Sequence, residues 1–61
     1  MTDNEIKYHA FQNGLDSVYD QWGPPEIAQF TRGLQQSYGE YAVEAFNDGV
    51  KTAEVPYEYY Y

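Results

Sequence analysis

Apolar residues recur at alternating steps of three and four in the first part of the chain, which is the spacing of one helix face. They are Tyr8, Phe11, Leu15, Val18 and Trp22. Asp3 or Asn4 can cap the start of this helix, because a short side-chain oxygen accepts hydrogen bonds from first-turn amides. The Gly-Pro-Pro sequence after Trp22 is a stop signal, since glycine allows a left-handed exit and proline ends the hydrogen-bond ladder. The pattern predicts a first helix over about residues 4–22.

A second helix is predicted over about residues 25–38. Proline suits the first helical position, Glu26 suits the positive helix end, and Phe30 and Leu34 continue a one-face pattern. Two interpretations are open at Gly39: one long helix bends there, or a third helix begins and runs over about residues 40–48. We favour three helices, because the apolar pattern loses phase at Gly39 and Asn-Asp-Gly at 47–49 is a second stop signal.

The sequence therefore predicts an all-α fold, a small three-helix or bent two-helix compact domain over residues 1–54. The last residues, 55–61, read VPYEYYY and have no helical period. Proline blocks a helix there, and the β-branched and tyrosine content favours an extended, acidic, tyrosine-rich tail. This tail can contact a partner, fold back or stay loose. Its predicted partner-binding residues are Tyr57, Glu58, Tyr59, Tyr60 and Tyr61.

One short string occurs three times: AFQNGL at 10–15, QFTRGL at 29–34 and AFNDGV at 45–50. Each places glycine three residues after phenylalanine, although an interior helix glycine costs about 1 kcal/mol relative to alanine. Glycine also lets a neighbouring backbone or ring approach closely. We interpret Gly14 and Gly33 as notches between close-packed helices and Gly49 as a C-cap. The predicted packing residues are Phe11, Gly14, Leu15, Trp22, Phe30, Gly33, Leu34 and Phe46.

The amino-acid composition shows an excess of acidic over basic residues and a large number of aromatic residues. Ten acidic against three basic residues give a net charge of −7, which favours basic protein surfaces and disfavours nucleic acid and anionic membranes. Eight tyrosines exceed the needs of a 61-residue core, so some are expected at an interface. No run approaches the roughly 20 apolar residues of a membrane span, and the N-terminal residues lack the features of a signal peptide. A cytoplasmic protein is the expectation.

The sequence offers little chemistry. It contains no cysteine and one histidine, which excludes disulfides and multi-histidine metal sites. His9, Asn13, Asp16 and Asp20 share one helix face, but a solvated polar face is the simpler interpretation. We predict no cofactor and no metal, and we expect that the protein is not an enzyme.

The predicted partner-binding residues form two acidic strips, Asp16 with Asp20 and Glu40 with Glu44 and Asp48. In composition the chain resembles the small acidic DNA-mimic inhibitors of phages and mobile elements. The resemblance implies an inhibitor or modulator on a basic surface of a nucleic-acid-handling or regulatory protein. One strip has its charges about 6 Å apart, against 3.4 Å along a DNA strand, so mimicry needs both strips side by side. The alternative is a structural or assembly subunit, completed by homo-oligomerisation or by docking in a larger particle.

Overall fold

The computed structural model describes residues 1–54, which form three helices. They are α1 (Asp3–Tyr19), α2 (Pro24–Ser37) and α3 (Glu40–Glu54). The predicted all-α, three-helix fold is confirmed. The predicted tail, residues 55–61, lies outside the described residues.

The cap of α1 is Thr2, so the prediction of Asp3 or Asn4 is wrong. Thr2 Oγ1 accepts a hydrogen bond of 3.2 Å from the Glu5 amide, and the Glu5 carboxylate accepts one of 3.3 Å from the Thr2 amide. This reciprocal pair is a capping box, which satisfies two amides at once, whereas a single aspartate or asparagine cap satisfies one.

The end of α1 also differs from the prediction. The helix stops at Tyr19, and Gln21 takes the left-handed conformation, with φ of 56°. The Trp22 amide donates to the Ser17 carbonyl at 2.9 Å, and the Gln21 amide donates to the Val18 carbonyl at 3.2 Å. These two bonds define a Schellman motif, which usually places glycine at the left-handed position. Gly23 instead has an extended backbone and precedes α2, so the glycine predicted as the left-handed exit is not that exit.

Gly39 separates α2 from α3 and has a positive φ of 109°, which glycine adopts without steric cost. From there α3 continues to Glu54, so the predicted end at residue 48 and the C-cap role of Gly49 are both wrong. The Asn-Asp-Gly signal is local, and the contacts that α3 makes with α1 outweigh it.

The first and third helices form the main contact of the fold, and α2 packs more sparsely against α3. Near the start of both helices Asp3 contacts Tyr41, and further along Gly14 contacts the backbone of Phe46. α1 and α3 therefore run in the same direction, and α2, which connects them in sequence, brings the chain back to the start of α3.

The buried apolar core of the described residues consists of four side chains: Ile6, Ala10, Ala42 and Phe46. Trp22 and Phe30 close over Phe46, with ring centroids 6.2 Å and 5.4 Å from it and 5.4 Å from each other. Leu34 also packs against this core, but no residue of α2 is fully buried. The core is small, and α2 covers it only in part.

The buried face of α1 is not the predicted one. Its buried residues are Ile6, Ala10, Gly14 and Ser17. Tyr8 is 61% exposed, and Phe11 and Leu15 are half-buried and outside the group that packs on the core. Three of the four buried residues are small, because α3 approaches so closely that larger side chains do not fit between the two backbones.

Candidate functional site

The first and third copies of the repeated string meet each other. A Cβ atom added to Gly14 would overlap the carbonyl oxygen of Phe46, and one added to Gly49 would overlap the carbonyl oxygen of Phe11. Each glycine thus lies against the backbone of the other copy's phenylalanine. The Cα atom of Gly14 would be 3.1 Å from a Cβ at Gly49. Approach at this range also permits Cα–H···O contacts, worth about 0.5–1 kcal/mol each. We call this contact the glycine seam.

The second copy of the string behaves differently. Gly33 is exposed, and a Cβ atom added there would meet nothing within 4 Å. The prediction that Gly33 is a notch between helices of this chain is therefore wrong. Phe30 of the same copy does pack on the core, through its ring. Within the described residues the glycine of this copy has no structural use.

Gly33 lies on the wall of an open groove of about 500 Å³ between α1 and α2. Ile6 and Ala10 line it from α1, Phe30 and Leu34 line it from α2, and Met1 and Tyr38 line it as well. Among the described residues, the lining contains no Asp, Glu, Lys or Arg, although Met1, with its N-terminal amino group, and His9 are part of it. It is a surface without carboxylate side chains on a strongly acidic chain.

The acidic strip of α3 consists of Glu40, Glu44 and Asp48, all exposed. Successive residues of a helix are about 100° apart, so Glu44 points about 140° away from Gly49. The strip thus faces outward, away from the glycine seam. Lys51 follows one turn later as the basic residue of the last turn.

The other acidic strip, Asp16 with Asp20 near the end of α1, forms a separate surface. Asp16 and Asp20 are exposed, and Asp16 points about 200° away from Gly14, which faces α3. The two strips are therefore on the outer sides of two different helices. They do not lie side by side, as a match to the charge density of a DNA strand requires.

Tyr41 is at the edge of the α3 strip. Its hydroxyl donates a long hydrogen bond of 3.5 Å to Asp3 Oδ1, and Lys7 Nζ lies 6.0 Å from its ring centroid. Partial burial, followed by the charge of Asp3 and this hydrogen bond, raises the pKa of Tyr41 above its usual 10.0, with a further contribution from Tyr38. The neutral phenol is therefore favoured in the folded state.

The face with a histidine and two aspartates divides between surfaces. His9 and Asn13 line the groove, whereas Asp16 and Asp20 do not. Within residues 1–54, no group of three His, Cys, Asp or Glu side chains is placed to hold a metal ion. In the same part of the chain, no helix has both the length and the apolar character to cross a membrane.

Sequence patterns missed the groove and the correct partner of Gly14. One signal was available: AFQNGL and AFNDGV share alanine, phenylalanine and glycine at the same relative positions, whereas QFTRGL has glutamine in place of alanine. That difference separates the two copies that meet from the one that does not. Comparison with models of known protein families, with curated proteins and with solved structures found no match.

Proposed function

We propose that this protein is a small non-enzymatic binding protein whose acidic α3 strip binds a basic surface of a protein partner. The partner class that we infer is a nucleic-acid-handling or regulatory protein, which the chain modulates or inhibits by occupying that surface. The exposed row Glu40, Glu44 and Asp48 on the outer face of α3 carries this proposal.

Helix stability alone explains why some positions of the chain carry a carboxylate. Asp3, Glu5, Glu26 and Glu40 are in first turns, where a negative charge interacts favourably with the helix dipole. Glu44 and Asp48 have no such reason, and like charges four residues apart cost a few tenths of a kcal/mol. A function that uses their charge would account for that cost.

The separation of the two acidic strips limits the form of recognition. Three charges on α3 extend over about 12 Å of helix, and Asp16 and Asp20, on the outer side of α1, cannot join the same contact. This favours recognition of a few basic side chains by one helix face over imitation of a long DNA strand. Tyr41, at the edge of the strip, supplies an aromatic ring of the kind that is common in binding hot spots.

The test uses two variants of the full chain that change net charge equally. Glu44→Gln with Asp48→Asn removes two charges from the α3 strip, and Asp16→Asn with Asp20→Asn removes two from α1. Each variant and the wild type serve as bait in a lysate of the source cells, and the retained protein is then purified for affinity measurements. We expect the α3 variant to lose about tenfold in affinity and the α1 variant to bind like the wild type.

Salt provides the second measurement. The association rate should fall steeply from low to high ionic strength, because salt screens attraction between separated charges. Equal losses in the two variants would show that only net charge matters and would contradict a localised α3 interface. An association rate that is independent of salt would contradict the charge-based proposal as a whole.

A further inference from the structure

Gly33 lies inside α2, one turn before the helix ends, where it weakens the helix by about 1 kcal/mol relative to alanine. Among the described residues, no atom lies within 4 Å of a Cβ atom added there. The contacts within residues 1–54 therefore do not compensate for the destabilising effect of Gly33.

The other two copies of the string show what such a glycine can do. Phe11 to Gly14 and Phe46 to Gly49 are paired reciprocally, each glycine against the other's phenylalanine carbonyl. The arrangement is two-fold in character, since equivalent residues exchange equivalent contacts. The second copy, Phe30 to Gly33, has no such partner within residues 1–54 and can make the same pair with its equivalent in another chain.

We propose that a second copy of this chain occupies the groove between α1 and α2, with the two α2 helices packed around a two-fold axis. Gly33 of each copy then lies against the Phe30 carbonyl of the other, as Gly14 and Gly49 do in the glycine seam. A two-fold dimer uses the same surface patch on both subunits, so a motif that pairs with itself is suited to it.

Charge favours a second copy over a basic partner in this groove. A chain of net charge −7 repels its own copies wherever carboxylates meet, but the groove lining contains none. A basic partner would find no opposite charge there. Within the described residues the groove is thus a surface without carboxylate side chains, through which two such acidic chains can approach.

The exposure of groove residues and the sequence around Gly33 both support the proposed contact between two α2 helices. Met1 and Tyr38, which are 75% and 43% exposed, line the groove and would be covered by a second chain. Gln29 stands one turn before Gly33, where the paired copies have Ala10 and Ala45, whereas Ser37 stands one turn after it. The two α2 helices can therefore stay close together from the contact of Phe30 with Gly33 as far as Ser37, whose side chain is also small.

The test is the oligomeric state of the full chain, measured by analytical ultracentrifugation from micromolar to millimolar concentration. The variants are Gly33→Ala and Gly33→Leu, with Gln35→Ala and Gln35→Leu as matched controls. Gln35 is exposed, lies outside the groove lining and points about 200° away from Gly33. We expect a wild-type dimer, a dissociation constant raised roughly tenfold to hundredfold by Gly33→Leu, and no change with either Gln35 variant.

If Gly33→Leu folds poorly, Gly33→Ala still tests the dimer, because its added side chain is a single methyl group. In the monomer the added methyl group meets nothing, so at low concentration this variant should unfold at a higher temperature than the wild type. In the dimer the same methyl group weakens association. A wild type that stays monomeric at millimolar concentration would overturn the inference and leave the groove to residues 55–61 or to another protein. Dimerisation that is equally strong in the Gly33 and Gln35 variants would overturn it as well.

Discussion

At the end of α1, one position has a residue type that is less stable in its backbone conformation than glycine. Gln21 has φ of 56°, a conformation that costs a residue with a Cβ atom roughly 1–2 kcal/mol. The surrounding Schellman hydrogen bonds fix that conformation, since they fix the path of the chain into Trp22. Trp22 in turn packs on Phe30 and Phe46, so the strained turn places a core side chain.

Replacing Gln21 with glycine should therefore stabilise the protein. Glycine removes the steric cost and loses more backbone entropy on folding, which leaves an expected net gain of about 0.5–1 kcal/mol. Urea unfolding followed by circular dichroism measures the change. Gln35→Gly, at an exposed position in the last turn of α2, is the control and should destabilise by up to about 1 kcal/mol. If both glycines destabilise, the left-handed turn is not where the strain lies.

At the scale of the helix, the glycine seam decides how α1 and α3 pack. Gly14 and Gly49 bring two backbones into direct contact, and a Cβ atom at either position would also come within 3.0–3.1 Å of backbone atoms beyond the phenylalanine carbonyl. Backbone atoms cannot move aside as a flexible side chain can. A side chain there must therefore move the two backbones apart at this contact.

Gly14→Ala is expected to destabilise the protein by about 2 kcal/mol or more, because overpacking outweighs the gain in helix propensity. Thermal and urea unfolding at low protein concentration measure this change, with Gly33→Ala as the control of opposite sign. Gly49→Ala should have a similar effect. The double variant should cost less than the sum, since the first substitution already separates the helices. A Gly14→Ala variant that unfolds like the wild type would contradict the close approach.

The helices were predictable from sequence, but the face of α1 was not. Proline at Pro24 and glycine at Gly39 mark chain reversals by local chemistry, and both separate helices in the structure. The buried face of α1 depends on what α3 brings to it. Sequence patterns give weight to large residues such as Tyr8 and Leu15, whereas the glycine seam selects small ones. The acidic strips were found as single rows, but their separation follows from the tertiary arrangement.

At the scale of the whole molecule, negative charge is spread over the outside of all three helices, and the charge of Asp3 acts on the phenol of Tyr41. Partial burial and Asp3 raise the pKa of Tyr41 above 10.0 in the folded protein. The folded state thus holds this proton more tightly than the unfolded chain does. The resulting stabilisation is complete below the ordinary pKa and is lost as the pH rises through the higher, folded value.

The free energy of unfolding should therefore fall as the pH rises above about 10, and it should fall less in two variants. Tyr41→Phe removes the titrating group. Asp3→Asn removes the charge that is the second cause of the raised pKa of Tyr41, so the pH dependence of its stability should be intermediate between those of Tyr41→Phe and the wild type. Urea unfolding across the alkaline range measures the three slopes. Identical slopes in the wild type and Tyr41→Phe would show that this phenol does not control alkaline stability.

The glycine seam also governs when the chain can fold as it is made. Gly14 and Gly49 are 35 positions apart, and α1 and α2 make few direct contacts with each other. Closing so long a loop costs chain entropy before any contact rewards it. As the chain leaves the ribosome, α1 and α2 have few stabilising tertiary contacts until α3 has also emerged. Commitment to the native structure then waits until α3 has been made.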